Sequence, residues 1–318
     1  MASLLLCALL SQSVVTLKPG LVKPKSTSLL SATIVVPDNY TTIQQAINAA
    51  NQGDTVHVRG RTYHENLFIN KTIQLVGENP KTTIIDGGTA NTTYSPTVEI
   101  YGKDAKNVKI LNFTLSGSKN AWGIYILFPD SSGAWIENNI ITNNSGGIIA
   151  DEASSNTFIN NTITDNKFEG MEFEDSHGNT MKNNTLTGNR YNFGLLGSAF
   201  DHNIDTSNTV NGKPICYLKN QTDLTINPTT CPDAGYLALI NCTNITVENL
   251  TLQNNVNGLL LAGTRNSTLR NNSLRSNERG LDLINSFDNA IEANDIKDNI
   301  WRSVYLTTPL TTSSYQTT

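Results

Sequence analysis

One asparagine recurs through this chain about every 22 residues, and this repeat constrains the fold more than any other feature. The spacings are 22 and 23, then 66, then 22 and 22, and 66 equals three periods of 22. An aliphatic residue precedes each asparagine by three positions. A period near 20 residues with a recurring Asn and fixed aliphatic positions is typical of a solenoid. The six asparagines are Asn144, Asn166, Asn189, Asn255, Asn277 and Asn299.

Apolar and polar residues alternate inside each repeat, which predicts several short strands per turn rather than pairs of helices. We therefore predict an all-β fold, a parallel β-helix of about ten turns over residues 33–305. Inward Asn side chains would form hydrogen-bonded ladders at the bends, where Asn tolerates left-handed backbone geometry. Residues expected to point inward are Phe158, Leu186, Leu252 and Leu283.

A short amphipathic helix is predicted at the start of the regular region. Its apolar face would consist of Ile43, Ala46, Ile47 and Ala50, and either Thr41 or Thr42 is suited to be its N-cap. The first turn of a solenoid otherwise exposes apolar side chains and unpaired strand edges. We therefore expect this helix to cap the N-terminal end.

The two ends of the chain differ from the repeats. Residues 1–13 contain a short apolar run followed by small polar residues, which predicts a secretory signal, and residues 14–32 are interpreted as a linker. Residues 306–318 are rich in Ser and Thr and are interpreted as a tail. No run is long enough to span a bilayer. With a net charge of −5, nothing indicates binding to nucleic acid. We predict a secreted or cell-surface protein.

Residues 197–240 interrupt the visible motif while keeping its phase, and we interpret them as turn-rich loops that project from a continuous shaft. In an oxidising compartment Cys216 and Cys231 would pair across such a loop, although spacing also permits a bond between Cys216 and Cys242. Many Asn-x-Ser/Thr sequons occur. Asn91 and Asn220 are the preferred glycosylation sites because they fall in predicted loops.

An acidic stack is the best candidate site. When neighbouring turns are aligned on Gly147 and Gly170, acidic residues fall beside one another. Carboxylates one turn apart repel unless they are protonated or bridged by a cation, and their hard oxygen atoms would suit Ca²⁺. The alternative is a solvated bend whose acids point outward. The candidate cation- or glycan-binding residues are Asp151, Glu152, Glu172, Glu174, Asp175 and His177.

Several segments carry a resemblance to a known superfamily. Residues 34–54, 63–66 and 71–77 resemble the opening of right-handed β-helix proteins of the pectin-lyase-like superfamily. The regular repeats, with residues 208–214 and 241–247, resemble the NosD-like β-helix proteins of archaeal cell surfaces. The resemblance implies a right-handed parallel β-helix. It does not select one activity, because the superfamily contains lyases, hydrolases, epimerases and proteins without a known reaction.

The enzyme motifs of this superfamily are incomplete here. The chain lacks the Asp-Asp pair and the Gly-His-Gly of polygalacturonases, and also the Asp-Pro-His-Glu of alginate epimerases. A Ca²⁺-dependent lyase or epimerase, with Lys167 or Arg190 as a base, remains an alternative without a strict local motif. We assign no catalytic residue and no metal site. The first hypothesis is a structural, adhesive or glycan-contacting protein whose partners are surface glycans or neighbouring surface proteins.

Copper maturation, as implied by the NosD resemblance, is a second alternative. Copper requires soft or imidazole ligands. The chain has only three Met and four His, and its densest group of possible ligands lies in residues 201–205.

Overall fold

The computed structural model describes residues 31–88 and 94–307, which form a parallel β-solenoid of about 12 turns with one short helix. The expected signal, most of the linker and tail, Cys7 and Asn91 lie outside the described residues. The length of residues 33–305 divided by the 22-residue period gives about 12 turns, so the prediction of about ten turns is too low. Individual turns vary in length: Thr55 pairs with Gln74 only 19 residues later, whereas Leu67 pairs with Val98 after 31 residues.

The first stack contains 21 strands and the helix. In chain order its elements are β1 (Thr33–Val36), α1 (Ile43–Ala49), β2 (Thr55–Val58), β3 (Thr62–Tyr63), β4 (Leu67–Lys71), β5 (Gln74–Gly77), β6 (Ile84–Asp86), β7 (Val98–Asp104), β8 (Lys109–Leu111), β9 (Thr114–Ser116), β10 (Trp122–Leu127), a 3-10 helix (Pro129–Ser131), β11 (Trp135–Glu137), β12 (Ile140–Thr142), β13 (Gly146–Asp151), β14 (Thr157–Ile159), β15 (Thr162–Thr164), β16 (Glu169–Glu174), β17 (Thr180–Lys182), β18 (Thr185–Thr187), β19 (Tyr191–Leu196), β20 (Asn203–Ile204) and β21 (Thr209–Val210).

These strands form three parallel sheets, because each full turn contributes one strand to each sheet. Sheet A has the order β1-β2-β5-β8-β11-β14-β17-β20, sheet B the order β3-β6-β9-β12-β15-β18-β21, and sheet C the order β4-β7-β10-β13-β16-β19. Like residues stack in register: Phe158 pairs with Ile136 on one side and Met181 on the other. All three are buried, as the apolar columns in the sequence predict.

Buried asparagines form ladders at the bends. Asn144 Nδ2 donates to Asn166 Oδ1 over 3.2 Å, and Asn166 Nδ2 donates to Asn189 Oδ1 over 2.9 Å. These bonds confirm the predicted ladder. The expectation that the ladder asparagines themselves adopt left-handed backbone geometry is wrong. The left-handed conformation belongs to the residue before each ladder position, such as Asn143 with φ 56° and Asp165 with φ 54°. The left-handed residue turns the chain, and the next side chain then points inward.

Helix α1 packs against the first turn. Thr42 is its N-cap and accepts a hydrogen bond from the backbone N–H of Gln45. Its buried side chains are Ile43, Ala46 and Ile47, in agreement with the predicted apolar face. The Gln44 side chain accepts from the N–H of Phe68 over 2.8 Å and donates to the carbonyl of the same residue over 3.1 Å. One side chain thus satisfies both backbone groups at the edge of β4.

A tight hairpin ends the first stack. Val210 pairs with Lys213 in antiparallel register across Asn211 and Gly212, whose φ angles are 50° and 77°. Positive φ at both central residues is the type I′ geometry that Asn-Gly favours. The chain therefore reverses direction, and the prediction of loops projecting from one continuous shaft is wrong. A second stack follows, with β22 (Lys213–Lys219), β23 (Thr225–Ile226), β24 (Tyr236–Ile240), β25 (Thr246–Glu248), β26 (Thr251–Gln253), β27 (Asn257–Ala262), β28 (Thr268–Arg270), β29 (Ser273–Arg275), β30 (Arg279–Ile284), β31 (Ala290–Glu292), β32 (Asp295–Lys297) and β33 (Arg302–Thr307).

The second stack also has three sets of parallel strands. Sheet D is β22-β24-β27-β30-β33, and the antiparallel pair of β21 and β22 joins it to sheet B; sheet E is β23-β25-β28-β31, and sheet F is β26-β29-β32. The inner strands β24 and β27 of sheet D are buried on both faces. Leu237 and Leu259 line the second core, whereas Tyr236, Ala238 and Leu260 belong to the core of the first stack. Sheet D therefore serves both stacks, which explains why β24 and β27 are continuous apolar runs rather than alternating ones.

Candidate functional site

The predicted acidic stack lies on the outside of sheet C. Asp151 of β13 is in register with Glu174 of β16, as the alignment of turns predicts. The residues immediately before them, Ala150 and Phe173, are buried in the core, so both carboxylates point outward. Glu172 lies two residues before Glu174 on the same face, yet only 6% of its surface is exposed. One strand thus brings two acidic side chains to the same surface.

The other predicted site residues lie around the bend that follows these strands. Glu152 and Asp175 have left-handed φ angles of 50° and 43°. Asp175 Oδ1 accepts hydrogen bonds from the backbone N–H and the hydroxyl of Ser198, over 2.9 and 3.0 Å. His177 Nδ1 lies 3.0 Å from the hydroxyl of Ser154. The interactions of Asp175 and His177 therefore stabilise the bend.

Burial and like charge raise the pKa values of the outward acids. Burial raises the pKa of Glu172 well above its usual value, and the nearby carboxylates of Glu169 and Glu174 raise it further. The pKa of Glu174 is raised by burial first and then by Asp151. Each carboxylate is thus less stable as an anion than it would be in water. An opposite charge placed among them would be stabilised.

The acids are not arranged as a metal centre. Within residues 31–88 and 94–307, no group of three or more His, Cys, Asp or Glu side chains has a geometry that could hold a metal ion. The possible copper ligands in residues 201–205 do not face a common site either. His202 is buried against Phe173, with 5.1 Å between ring centroids, whereas Asp201 is exposed and pairs with Lys219 over 2.6 Å.

Two tyrosines, Tyr94 and Tyr125, lie beside the acidic stack, and the 22-residue repeat did not predict them as part of the site. Tyr125 is the in-register neighbour of Glu99, and its hydroxyl donates to Asp151 Oδ2 over 2.8 Å. Tyr94 meets Tyr125 edge-on, with 5.8 Å between ring centroids. Burial raises the pKa of Glu99 and raises that of Tyr94 to about 12. Carboxylates and phenols therefore lie side by side on this surface.

A row of exposed aromatic rings continues the same surface towards the N-terminal end. Phe68 and Tyr101 have ring centroids 6.3 Å apart, and Tyr101 and Phe128 have centroids 5.9 Å apart. Their exposed fractions are 39%, 41% and 42%. The spacings in sequence are 33 and 27, so the 22-residue period could not find them. Together with Phe128, which directly follows β10, these outward side chains form a surface that we call the outer face of sheet C. Its members are Phe68, Glu99, Tyr101, Tyr125, Phe128, Asp151, Glu172 and Glu174.

The second stack borders this face. Arg279 and Glu278 lie close enough to Glu172 to shift its pKa in opposite directions. The Arg279 guanidinium lies over the ring of Trp301, 4.4 Å from its centroid, and over that of Tyr305 at 5.0 Å. These ring contacts orient the guanidinium at the border of the face.

The two basic residues considered for a lyase lie on a neighbouring aromatic ring. The Lys167 ammonium is 4.9 Å from the ring centroid of Phe168, and the Arg190 guanidinium is 6.0 Å from it. Arg190 also lies over Tyr191 at 5.4 Å. Both cations therefore have aromatic contacts of their own.

Cys216, Cys231, Cys242 and the candidate glycosylation site Asn220 lie near the junction of the two stacks. The structure pairs Cys216 with Cys231, with Cα atoms 6.8 Å apart, and leaves Cys242 buried as a thiol. Asn220 follows β22 with φ 54°, is exposed, and borders a cavity of about 460 Å³ that Phe200 and Lys219 also line. The other candidate sequon, Asn91, lies outside the described residues.

Two family models match overlapping parts of the chain. The model described as "Right handed beta helix region" matches residues 91–231, and the model described as "Periplasmic copper-binding protein (NosD)" matches residues 200–313. Each model matches less than half of the chain, and the described residues have the fold that the first model names, a right-handed parallel β-helix. The sequence matches no curated protein. No helix of the described residues is both long and apolar enough to cross a membrane.

Solved structures with a similar fold include carbohydrate-active enzymes. The Azotobacter vinelandii mannuronan C-5 epimerase AlgE4 A-module is 17% identical, with TM-score 0.44, over 86% of this chain and 95% of that chain. The catalytic domain of a GH87 alpha-1,3-glucanase in complex with nigerose is 13% identical, with TM-score 0.49, over 91% of this chain and 70% of that chain. Pectin methylesterase from carrot is 12% identical, with TM-score 0.40, over 78% and 83%.

Proposed function

We propose that this chain is an exported glycan-contacting rod, and that glycans bind along the outer face of sheet C. The observation that carries the proposal is the exposed row of Phe68, Tyr101 and Phe128. Each aromatic ring offers a flat apolar surface, and the C–H face of a sugar ring packs against such a surface. Exposed large apolar groups in a continuous row are typical of binding surfaces.

The polar residues of the face support the same assignment. Carboxylates accept hydrogen bonds from sugar hydroxyls, and Tyr125 and Asp151 are already held in position by their mutual hydrogen bond. Successive turns are spaced by about 4.8 Å, so repeated side chains can meet repeated sugar units. Apolar platforms combined with a few oriented polar groups are the usual composition of ligand sites.

Export is part of the proposal. The paired cysteines, the many sequons and the periplasmic description of the NosD family support an extracellular or periplasmic location. No observation on the described residues favours a copper site, so copper is not part of the proposal.

We also infer that α1 closes the N-terminal end of the first stack. Its buried face packs on the first turn, and Gln44 satisfies the backbone N–H and carbonyl of Phe68. Covering the edge in this way opposes pairing with other strands.

The test is affinity electrophoresis of the purified chain through gels that contain different soluble polysaccharides. We expect at least one polysaccharide to retard the native chain. Combined replacement of Phe68, Tyr101 and Phe128 by Ala should abolish that retardation. The matched control is Phe287→Ala, since Phe287 is a similarly exposed ring on the second stack.

Two results would overturn the proposal. One is equal retardation of the triple variant and the native chain. The other is Ca²⁺-dependent release of unsaturated ends, which absorb ultraviolet light, from a uronate polysaccharide, with loss of that signal in Glu174→Gln. The second result would establish the lyase alternative.

A further inference from the structure

We propose that the outer face of sheet C selects glycans that carry free amino groups, and that Glu99, Asp151 and Glu172 pair with the ligand ammonium groups. This inference rests on the glycan-contacting function proposed above and adds the chemical class of the ligand.

The first argument is the distribution of charge on the face. Two columns of outward residues run along sheet C. Glu99, Tyr125, Ile149 and Glu172 form one column in register, and Tyr101, Leu127, Asp151 and Glu174 form the other. The described residues of these two columns include four acids and no base. A uronate or sulfated glycan would be repelled along the face, whereas a protonated amine would be attracted.

The second argument is the state of Glu172. Its surface is only 6% exposed, and its carboxylate makes no hydrogen bond to any other described residue. A buried charged group without a partner is costly, so such groups are normally paired. Burial raises the pKa of this carboxyl, which expresses the same cost. A ligand ammonium would supply the missing hydrogen-bond donor and the opposite charge.

The nearest cation of the second stack is held by other partners. Arg279 lies over the rings of Trp301 and Tyr305, and its Nη1 is 3.5 Å from Asp282 Oδ2. It lowers the pKa of Glu172 less than burial and the neighbouring acids raise it. Arg279 therefore compensates only part of the negative charge.

The aromatic row explains why the cation should be a sugar rather than a free ion. Phe68 and Tyr101 offer stacking surface beside Glu99, the in-register neighbour of Phe68. A glycan with amino groups would use both kinds of group at once. N-acetylation would keep the stacking and remove the charge.

The experiment compares three ligands by isothermal titration calorimetry: a glucosamine hexamer, an N-acetylglucosamine hexamer and a hexagalacturonate. Titrations are made just below neutral pH with a chelator present, so that divalent cations cannot bridge ligand and protein. We expect the glucosamine hexamer to bind at least about tenfold more tightly than its acetylated form. We expect added salt to weaken this preference because it arises from charge, and we expect no binding of the uronate.

The decisive variant is Glu99→Gln combined with Glu172→Gln, which removes two carboxyl groups and keeps side-chain shape. We expect it to lose the preference for the amine while binding of the acetylated hexamer is unchanged. The control is Glu292→Gln, an equal change of side chain at an exposed position on sheet E.

The outcomes separate the two proposals. If the native chain binds both glucosamine-based hexamers equally and the double variant changes neither, the selectivity is wrong and the glycan-contacting function stands. If the native chain binds none of the hexamers or polysaccharides tested, the glycan-contacting function itself is wrong. A preference for the uronate would also overturn the selectivity.

Discussion

The ring of Tyr236 stands edge-on to the ring of Phe193, with 4.9 Å between their centroids and an interplanar angle of 80°. Phe193 belongs to β19, the last strand of sheet C, and Tyr236 opens β24 in the second stack. Hydrogen bonds reinforce this junction: the N–H of Val256 donates to the carbonyl of Phe193 over 2.9 Å. The second stack thus packs against β19, the last strand of sheet C in the first stack.

Tyr236→Ala should destabilise this junction by about 3–5 kcal/mol, because it removes a fully buried aromatic side chain. Tyr236→Phe is the control and should cost about 1 kcal/mol, since it removes only the hydroxyl that bonds Asn257 Oδ1 over 3.2 Å. Urea unfolding gives the totals, and hydrogen exchange should show faster opening of β19 in the Ala variant. Unchanged protection of β19 would contradict this packing.

Asn161→Ala should destabilise the first stack by about 1–3 kcal/mol, because it leaves buried partners without hydrogen bonds. The Asn161 amide donates to Asn184 Oδ1 over 3.0 Å, and its oxygen accepts from Asn139 Nδ2 over 3.2 Å. The control is Asn160→Gly, one residue earlier, where the side chain is exposed and φ is 56°. Glycine adopts this conformation readily. Equal shifts in the urea midpoints of the two variants would refute a specific role for the ladder.

His202 should make stability depend on pH. Burial lowers its pKa to about 4, although Asp201 opposes the shift. Because the folded pKa lies below the unfolded value of about 6.5, the unfolded chain binds more protons between these values. The stabilisation is therefore complete above about pH 6.5 and is lost as the pH falls towards 4, by up to about 3 kcal/mol.

The matched variant for this prediction is His202→Asn. The amide oxygen of the substituted side chain can accept a hydrogen bond from the backbone N–H of Asn179, as His202 Nδ1 does over 3.4 Å, but the amide does not titrate. Unfolding free energies measured from pH 7 to pH 4 should decline less steeply in the variant. Parallel profiles for the two proteins would show that His202 is not the titrating group.

The cysteine pairing predicts a labelling pattern. Alkylation of the denatured, unreduced chain should modify Cys242, and also Cys7 where residues 1–13 are retained, whereas reduction should make Cys216 and Cys231 reactive as well. Replacing both Cys216 and Cys231 by Ser should cost about 3 kcal/mol, since the bond closes a loop of 15 residues. Mass spectrometry of the alkylated peptides reads the result. Labelling of Cys216 before reduction would exclude this pairing.

Much of the solenoid was predictable because each turn packs on the next with the same register. Phe158 and Leu186 are buried as their columns predict, and Asp151 meets Glu174 as the alignment of turns predicts. The signal for the missed hairpin was present in Asn211-Gly212, the strongest short-range hairpin motif. The 66-residue gap keeps the phase of the repeat, and a loop projecting from a continuous shaft would keep it as well.

The sequence by itself determined the repeat, the inward columns, the Asn ladders and the acidic pair, because these depend only on neighbouring turns. Only the tertiary structure decided that the stack breaks, that the inner strands of sheet D are buried on both faces, and that Phe68, Tyr101 and Phe128 form one row. Contacts between two stacks join residues far apart in the chain, and the three exposed rings are spaced by 33 and 27 residues rather than by the repeat. A 22-residue repeat records neither, because it reports only what each turn must share with the next.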